Sequence, residues 1–246
     1  MSEHLTREQL DAAAKAELEK IKALRSLRLY TPSEAAANFV RGQYDAGDGT
    51  NAYRHEDGVD PESGTETFVA AKLMFDNYRW SGVPFYVRTG KKLADKFTRI
   101  DVVFKKPLID IFANPRSESD QSLNSNVLTI FVEPNSGFAI QLNAKHAGQG
   151  FTTEPVDLRF LQSDSDKKES PEPYERLFHD ALEGNHTNFA SWAEIAYAWK
   201  FVDVIRKLWD IEKPQFPNYT PGSMGPAASD ELLARDGRKW VYRLNH

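Results

Sequence analysis

The sequence has no cysteine among its 246 residues. That excludes disulfides and thiolate metal sites, and it fits a reducing compartment, the cytoplasm. No apolar run approaches the ~20 residues that a membrane-spanning helix needs. Met1 is followed by Ser2-Glu3-His4-Leu5-Thr6-Arg7, with no apolar signal-peptide core, so neither secretion nor membrane insertion is expected. Excess positive charge is missing as well. The net charge is −5, which excludes a general role in coating nucleic acid. Neither Gly-x-x-x-x-Gly-Lys-Ser/Thr nor a helix-opening Gly-x-Gly-x-x-Gly occurs, so the common phosphate-cradling loops are absent. The histidines His4, His55, His146, His179, His186 and His246 show no metal-ligand spacing, and none stands out as a general base.

What is present reads as an ordinary globular composition, 40% hydrophobic and 27% charged. A capping box at Thr6 and Gln9, with Leu5 and Leu10 as a hydrophobic staple, predicts an opening helix. Leu10, Ala14, Leu18, Ile21 and Leu24 mark its apolar face. Residues 45–66, rich in Gly, Asp, Asn and Pro, predict a long loop. Thr67 to Trp80 is read as a strand rather than a helix, because Phe68-Val69 and Met74-Phe75 are bulky and Ser81-Gly82 follows. Tyr78 to Leu93 then reads as two apolar strands joined by a turn, ending in Gly90-Lys91-Lys92.

Further strands are predicted at Ile100–Lys105, Asn126–Glu133, Phe138–Ala144 and Val156–Leu161, with a turn at Pro134-Asn135-Ser136-Gly137. Short turns between consecutive strands imply antiparallel pairing. Helices follow, one carrying Leu177, Phe178, Ala181 and Leu182 and closed by Gly184. A second spans about Asn188 to Trp209, with Trp192, Ile195, Trp199, Val202, Ile205 and Leu208/Trp209 inward. A third, short one covers Ser229 to Arg235. The expected class is α+β: one domain over residues 1–246, a large, mostly antiparallel β-sheet with helices packed on one face. The other face, rich in aromatics, is expected to be buried between subunits.

The densest basic cluster is Arg88, Lys91, Lys92, Lys96 and Arg99. Ammonium and guanidinium groups at a strand end can bind a phosphate monoester. Equally, lysines at a strand end keep an edge soluble. Asp76, Arg79, Glu133 and Asp157 read as solvated or ion-paired positions in strands. The run Asp164 to Glu169 reads as a solvated loop.

Several motifs decide between these readings. Leu24-Arg25-Ser26-Leu27-Arg28, Arg41-Gly42-Gln43-Tyr44, Thr67-Phe68-Val69-Ala70, Asp76 to Tyr86 and Arg88-Thr89-Gly90-Lys91 come first. Pro173-Tyr174-Glu175-Arg176-Leu177, Trp199 to Asp203 and Gly222 to Ala228 follow in order. Together, from about Glu19 to Trp240, they resemble the C-terminal half of the glucose-6-phosphate dehydrogenase family. The resemblance implies oxidation of glucose 6-phosphate with NADP in the oxidative pentose phosphate pathway. It also implies substrate contacts from Lys91 and Lys96 and a homodimer formed through the sheet. Glu133 stands where many relatives carry a glutamine. The family's dinucleotide turn and its Arg-Ile-Asp-His-Tyr segment, which carries the base, are not found in these residues. No catalytic, cofactor-binding or metal-binding residue is therefore assigned, no cofactor is expected on this chain, and by itself it is expected to be inactive. The alternative is a non-catalytic homologue that binds a phosphosugar or regulates assembly.

Overall fold

The computed structural model describes residues 7–109, 123–148, 153–163, 165, 172–211 and 214–241. They form two compact units, Met1–Asp95 with Glu172–His246, and Lys96–Pro171.

The first unit holds strands β1 (Phe39–Gly42), β2 (Phe68–Leu73) and β3 (Phe85–Gly90), antiparallel and in that order. Its helices are α1 (Arg7–Arg25), α2 (Pro32–Asn38), α3 (Pro173–Leu182), α4 (Trp192–Ile211) and α5 (Ala228–Ala234). Helix α2 starts where Thr31 and Glu34 close a capping box and Pro32 supplies a preset φ. Strand side chains alternate between faces. On one face, Phe39 and Ala71 join Tyr30, Ala35, Phe201 and Ile205. On the other, Phe68 and Ala70 join Tyr44, Tyr219, Leu232 and Leu233. Apolar residues on both sides of β2 thus carry cover on both faces: α2 and α4 on one, α5 and the Tyr219 segment on the other.

The second unit is a four-stranded antiparallel sheet of β4 (Thr98–Val103), β5 (Val127–Glu133), β6 (Gly137–Lys145) and β7 (Thr153–Leu161). Its register aligns Ile100, Ile130, Phe138 and Phe160 in one row, and Val102, Leu128, Ile140 and Leu158 in the next. This face is open, with Ile100 55%, Leu158 60% and Phe160 58% exposed. On the opposite face Val127, Thr129, Phe131 and Ala139 are buried. There Thr129 Oγ1 donates to Asp101 at 2.7 Å, and Arg99 pairs with Asp101 at 3.0 Å.

The α+β class stands, and every strand pair is antiparallel. The strands divide between two sheets, and in the first unit the cover lies on both faces rather than one. The expected strand over Thr67–Trp80 ends at Leu73, and β3 is the one strand within Tyr78–Leu93. The reason is local turn chemistry. Asn77 Oδ1 accepts from the Trp80 N–H at 2.9 Å, and Gly82 takes φ +75.

Helix α4 also departs from expectation. Its N-terminus is set by Ser191, which exchanges hydrogen bonds with Glu194. Phe201 and Ile205 are its buried residues, while Trp192, Ile195, Trp199 and Val202 are exposed. In α3, Phe178 and Leu182 are exposed, and Gly184 closes the helix at φ +69 as expected. The Thr6–Gln9 box, the Leu5–Leu10 staple and, apart from Ser165, the Asp164–Glu169 run lie outside the residues and side chains described. Among the described residues no helix is long and apolar enough to cross a membrane.

The tightest packing in the first unit surrounds Phe68. A Cβ added at Gly90 would meet the Phe68 ring at 2.7 Å, and one at Gly225 would meet it at 2.3 Å. Gly225 also sits at φ +105, a conformation that other residues rarely adopt. Gly225→Ala is therefore expected to destabilise the protein by about 2–4 kcal/mol, from overpacking plus backbone strain. Chemical denaturation checks this; a loss well under about 1 kcal/mol would show that the ring yields easily.

A second tie joins Asp236 to the sheet. Its carboxylate pairs with Lys72 at 2.6 Å and accepts from the Tyr86 hydroxyl. These bonds, Lys72 first, hold the Asp236 carboxyl below its ordinary value of 3.8. Burial, then the bond to Asp236, pushes the Tyr86 hydroxyl up to about 12. A lowered acid pKa stabilises the fold above the unfolded value and is lost as pH falls through the folded one. Asp236→Asn is expected to cost about 1 kcal/mol at neutral pH. It should also flatten the loss of stability below about pH 4, as read by Tm measured from pH 7 to pH 3.

Candidate functional site

The loop that leaves β3 is held almost entirely through its backbone. The Lys91 N–H donates to the Thr67 carbonyl at 2.8 Å, and the Lys91 carbonyl accepts from the Tyr219 hydroxyl at 2.9 Å. Lys92 turns the chain at φ +52, and its carbonyl accepts from the Gly222 N–H at 2.9 Å. The Ala94 N–H then donates to the Ser223 carbonyl at 2.8 Å. Segment 219–223 thus lies along the loop and takes up groups that a surface turn ordinarily leaves to water. The segment is fixed in turn from its other side. The Asn218 N–H donates to the Gln43 carbonyl, the Asp45 N–H donates to the Tyr219 carbonyl, and Tyr44 bridges to Tyr219.

The five basic residues singled out in the sequence have different fates. Arg88 is half-buried, with its guanidinium stacked 4.4 Å from the centre of the Trp240 ring. Arg99, in the second unit, lies over Phe97 at 4.8 Å and is paired to Asp101. Both are engaged with the protein, where aromatic stacking and ion pairing use up the charge. Lys91, Lys92 and Lys96 are exposed, and among the described residues no carboxylate pairs with them. Lys91 and Lys92 belong to the first unit and Lys96 is the first residue of the second.

Other candidates resolve into structure. Asp76 binds Arg28 through Nη2 at 2.5 Å and Nε at 3.1 Å, which holds the Asp76 carboxyl below its usual range. Arg79 lies over the Trp80 ring. His146 faces Glu154 at 3.8 Å, while His55, His179 and His186 are exposed. His4 and His246 fall outside the described residues. Glu133 is exposed at the end of β5, opposite Thr98 in the register. Among the described residues no cluster of His, Asp or Glu is arranged to hold a metal. The anchors Thr67, Tyr219, Gly222 and Ser223 were not expected from the sequence. A turn is written in Thr220-Pro221-Gly222, but nothing local connects Tyr219 to a lysine 128 residues earlier.

The glycine turn Gly222–Gly225 precedes α5 and so superficially resembles a phosphate cradle. Its Gly225 is filled by Phe68, and α5 has only seven residues. These residues do not fit a dinucleotide. What the arrangement offers chemically is fixed positive charge for an anionic ligand.

Comparison with known proteins agrees with these features. The family model described as "Glucose-6-phosphate dehydrogenase, C-terminal domain" matches residues 7–241. Glucose-6-phosphate 1-dehydrogenase of Bacillus subtilis is 47% identical over 226 residues, covering 90% of this chain and 45% of that protein. The Leuconostoc mesenteroides enzyme is 43% identical, covering 91% of this chain and 45% of that protein. The crystal structure of the Mycobacterium avium enzyme superposes with a TM-score of 0.75 at 27% identity, covering 94% of this chain and 45% of that one. A glucose-6-phosphate dehydrogenase structure in complex with its substrate glucose-6-phosphate gives 0.76 at 26% identity, covering 94% and 46%. The chain therefore spans about half the length of the relatives it matches. Alike in sequence and in structure, it belongs to the glucose-6-phosphate dehydrogenase family, as the family's C-terminal domain.

Proposed function

We propose that this chain is the substrate-binding and dimerisation part of an NADP-dependent glucose-6-phosphate 1-dehydrogenase, which oxidises glucose 6-phosphate to 6-phosphogluconolactone. The reaction needs a base for the proton of the sugar C1 hydroxyl and an acceptor for the hydride. By the resemblance to the family both come from outside this chain, and NADP belongs to the complete enzyme. The chain's contribution is to the sugar phosphate. Lys91 is the chief ligand and Lys96, at the family's spacing, is the second. The observation that carries this reading is the Lys91 loop: an exposed, unpaired ammonium on a backbone tied at four successive points. Such pre-organisation lowers the ordering cost of binding a dianion. The family match runs through both compact units, which supports treating residues 1–246 as one functional domain. The lack of cysteine supports placing it in the cytoplasm.

The open face of β4–β7 supports a homodimer. Two rows of aliphatic and aromatic side chains run across four strands, with Phe138 and Phe160 stacked at 5.7 Å. At about 25 cal/mol per Å² of apolar surface, covering such a face favours association.

Two measurements test the proposal. Joined to the N-terminal half of the Bacillus subtilis relative, residues 1–246 are expected to support NADP reduction by glucose 6-phosphate. In that enzyme, Lys91→Ala removes a charge-assisted hydrogen bond and is expected to raise KM for the sugar phosphate about 10- to 150-fold, leaving KM for NADP nearly unchanged. Unaltered sugar-phosphate kinetics would return the lysines to the role of a solvated turn. The dimer is tested by sedimentation of the chain at micromolar concentration, where Phe160→Asp is expected to shift dimer to monomer. A wild-type chain that sediments as a monomer would refute the interface.

A further inference from the structure

We infer that Tyr219 is a positioning residue for the sugar phosphate: its hydroxyl, aligned by Thr67, holds the Lys91 carbonyl and so sets where the Lys91 ammonium is presented. The inference rests on the proposed role of Lys91 and goes further, because it names a residue that does not itself touch the ligand. Tyr219 is 5% exposed, and its ring packs against Phe68 at 5.7 Å and Tyr44 at 6.3 Å between centroids. Those contacts suffice to explain a buried aromatic ring, but they do not require a hydroxyl on it. Burial raises the cost of ionising the Tyr219 hydroxyl, so it stays a neutral donor.

Counting protons and taking the shorter contact gives one consistent set of directions around that hydroxyl. The Tyr44 N–H can only donate, and it reaches Thr67 Oγ1 at 3.1 Å. Thr67 Oγ1 lies 2.9 Å from the Tyr219 hydroxyl oxygen. That oxygen lies 2.9 Å from the Lys91 carbonyl, which can only accept, and 3.2 Å from the Thr67 carbonyl. The phenol has one proton, and the shorter of its two carbonyl contacts is to Lys91. The consistent arrangement is one-way: Tyr44 N–H to Thr67 hydroxyl, Thr67 hydroxyl to Tyr219 hydroxyl, Tyr219 hydroxyl to Lys91 carbonyl. Each donor polarises the next. With the Lys91 N–H held by the Thr67 carbonyl, both backbone polar groups of Lys91 are anchored to Thr67 or to its bonded partner. Lys91 then presents its ammonium from a fixed base, and the four flexible bonds of its side chain are the freedom left to order on binding.

Tyr219→Phe keeps the ring and deletes the last link. The chain of residues 1–246, labelled with nitrogen-15, is titrated with glucose 6-phosphate and followed by NMR, which reads millimolar affinities. Amide hydrogen exchange is measured on the same samples. Tyr219→Phe is expected to weaken glucose 6-phosphate about 3- to 10-fold. It is also expected to speed exchange at Lys91 and Ala94 while the β1 amides keep their rates. In a Lys91→Ala background, Tyr219→Phe is expected to have no further effect on affinity, since the group it positions is gone. If Lys91→Ala weakens binding but Tyr219→Phe leaves it unchanged, the positioning role is overturned and the substrate role of Lys91 stands. The positioning role is likewise overturned if the two effects simply add, or if exchange rises equally in every strand. If Lys91→Ala itself leaves binding unchanged, the reading of Lys91 fails and the role of Tyr219 fails with it.

Discussion

The Phe68 ring lies between two glycines that come from distant parts of the chain. Gly90 ends β3, and Gly225 lies in the turn before α5; at both positions a methyl group would overlap the ring. The same ring faces Tyr219, and a Cβ on Gly42 would press at 3.1 Å on Tyr219 and Asn218. Four motifs, Arg41–Tyr44, Thr67–Ala70, Arg88–Lys91 and Gly222–Ala228, therefore meet in one close-packed region. Their glycines are places where backbone has to approach a ring, and densely packed interiors tolerate little change in volume at such places. The Lys91 loop inherits its position from this packing, because the segment that supplies Gly225 also supplies the hydrogen-bonding groups that hold the loop.

Charge is distributed on a similar logic. Arg28 is matched by Asp76, Lys72 by Asp236, and Arg99 by Asp101. Arg88 spreads over Trp240. Each of these cations has a counter-charge or a π face supplied by the protein, and partly buried charges are retained on such terms. Lys91, Lys92 and Lys96 have neither among the described residues.

Legibility from the sequence followed how far the deciding interaction reaches. The strands β4 to β7 were readable because alternation and turn residues are local, and Pro134 to Gly137 marks its turn without help. The helix at 192–211 was readable as a helix, and its facing only in its C-terminal half, at Ile205, Leu208 and Trp209. Apolar residues lie on both sides of it, so periodicity selected Trp192 and Trp199 along with Ile205, whereas tertiary packing buried Ile205 together with Phe201 and left both tryptophans exposed. The strand after Thr67 was overextended because Asn77, which stops it, acts through a side-chain bond to Trp80. Lys91 and Lys96 were singled out by likeness to a family. Arg88 and Arg99 were grouped with them because the partners that occupy them, Trp240 and Asp101, are identified only in three dimensions. Tyr219 went unseen for the same reason.

The bond between Tyr219 and Lys91 spans 128 residues, and the one between Tyr219 and Thr67 spans 152. Contacts of such separation close late, because the entropy of a long loop is lost before the contact returns anything. During synthesis the three strands of the first sheet emerge early and have their local partners at hand. The loop that carries Lys91 stays unheld until the Asn218–Gly225 segment has left the ribosome. A chain cut before Tyr219 would keep the lysine but lose the bonds that hold its backbone carbonyl and the rest of the loop.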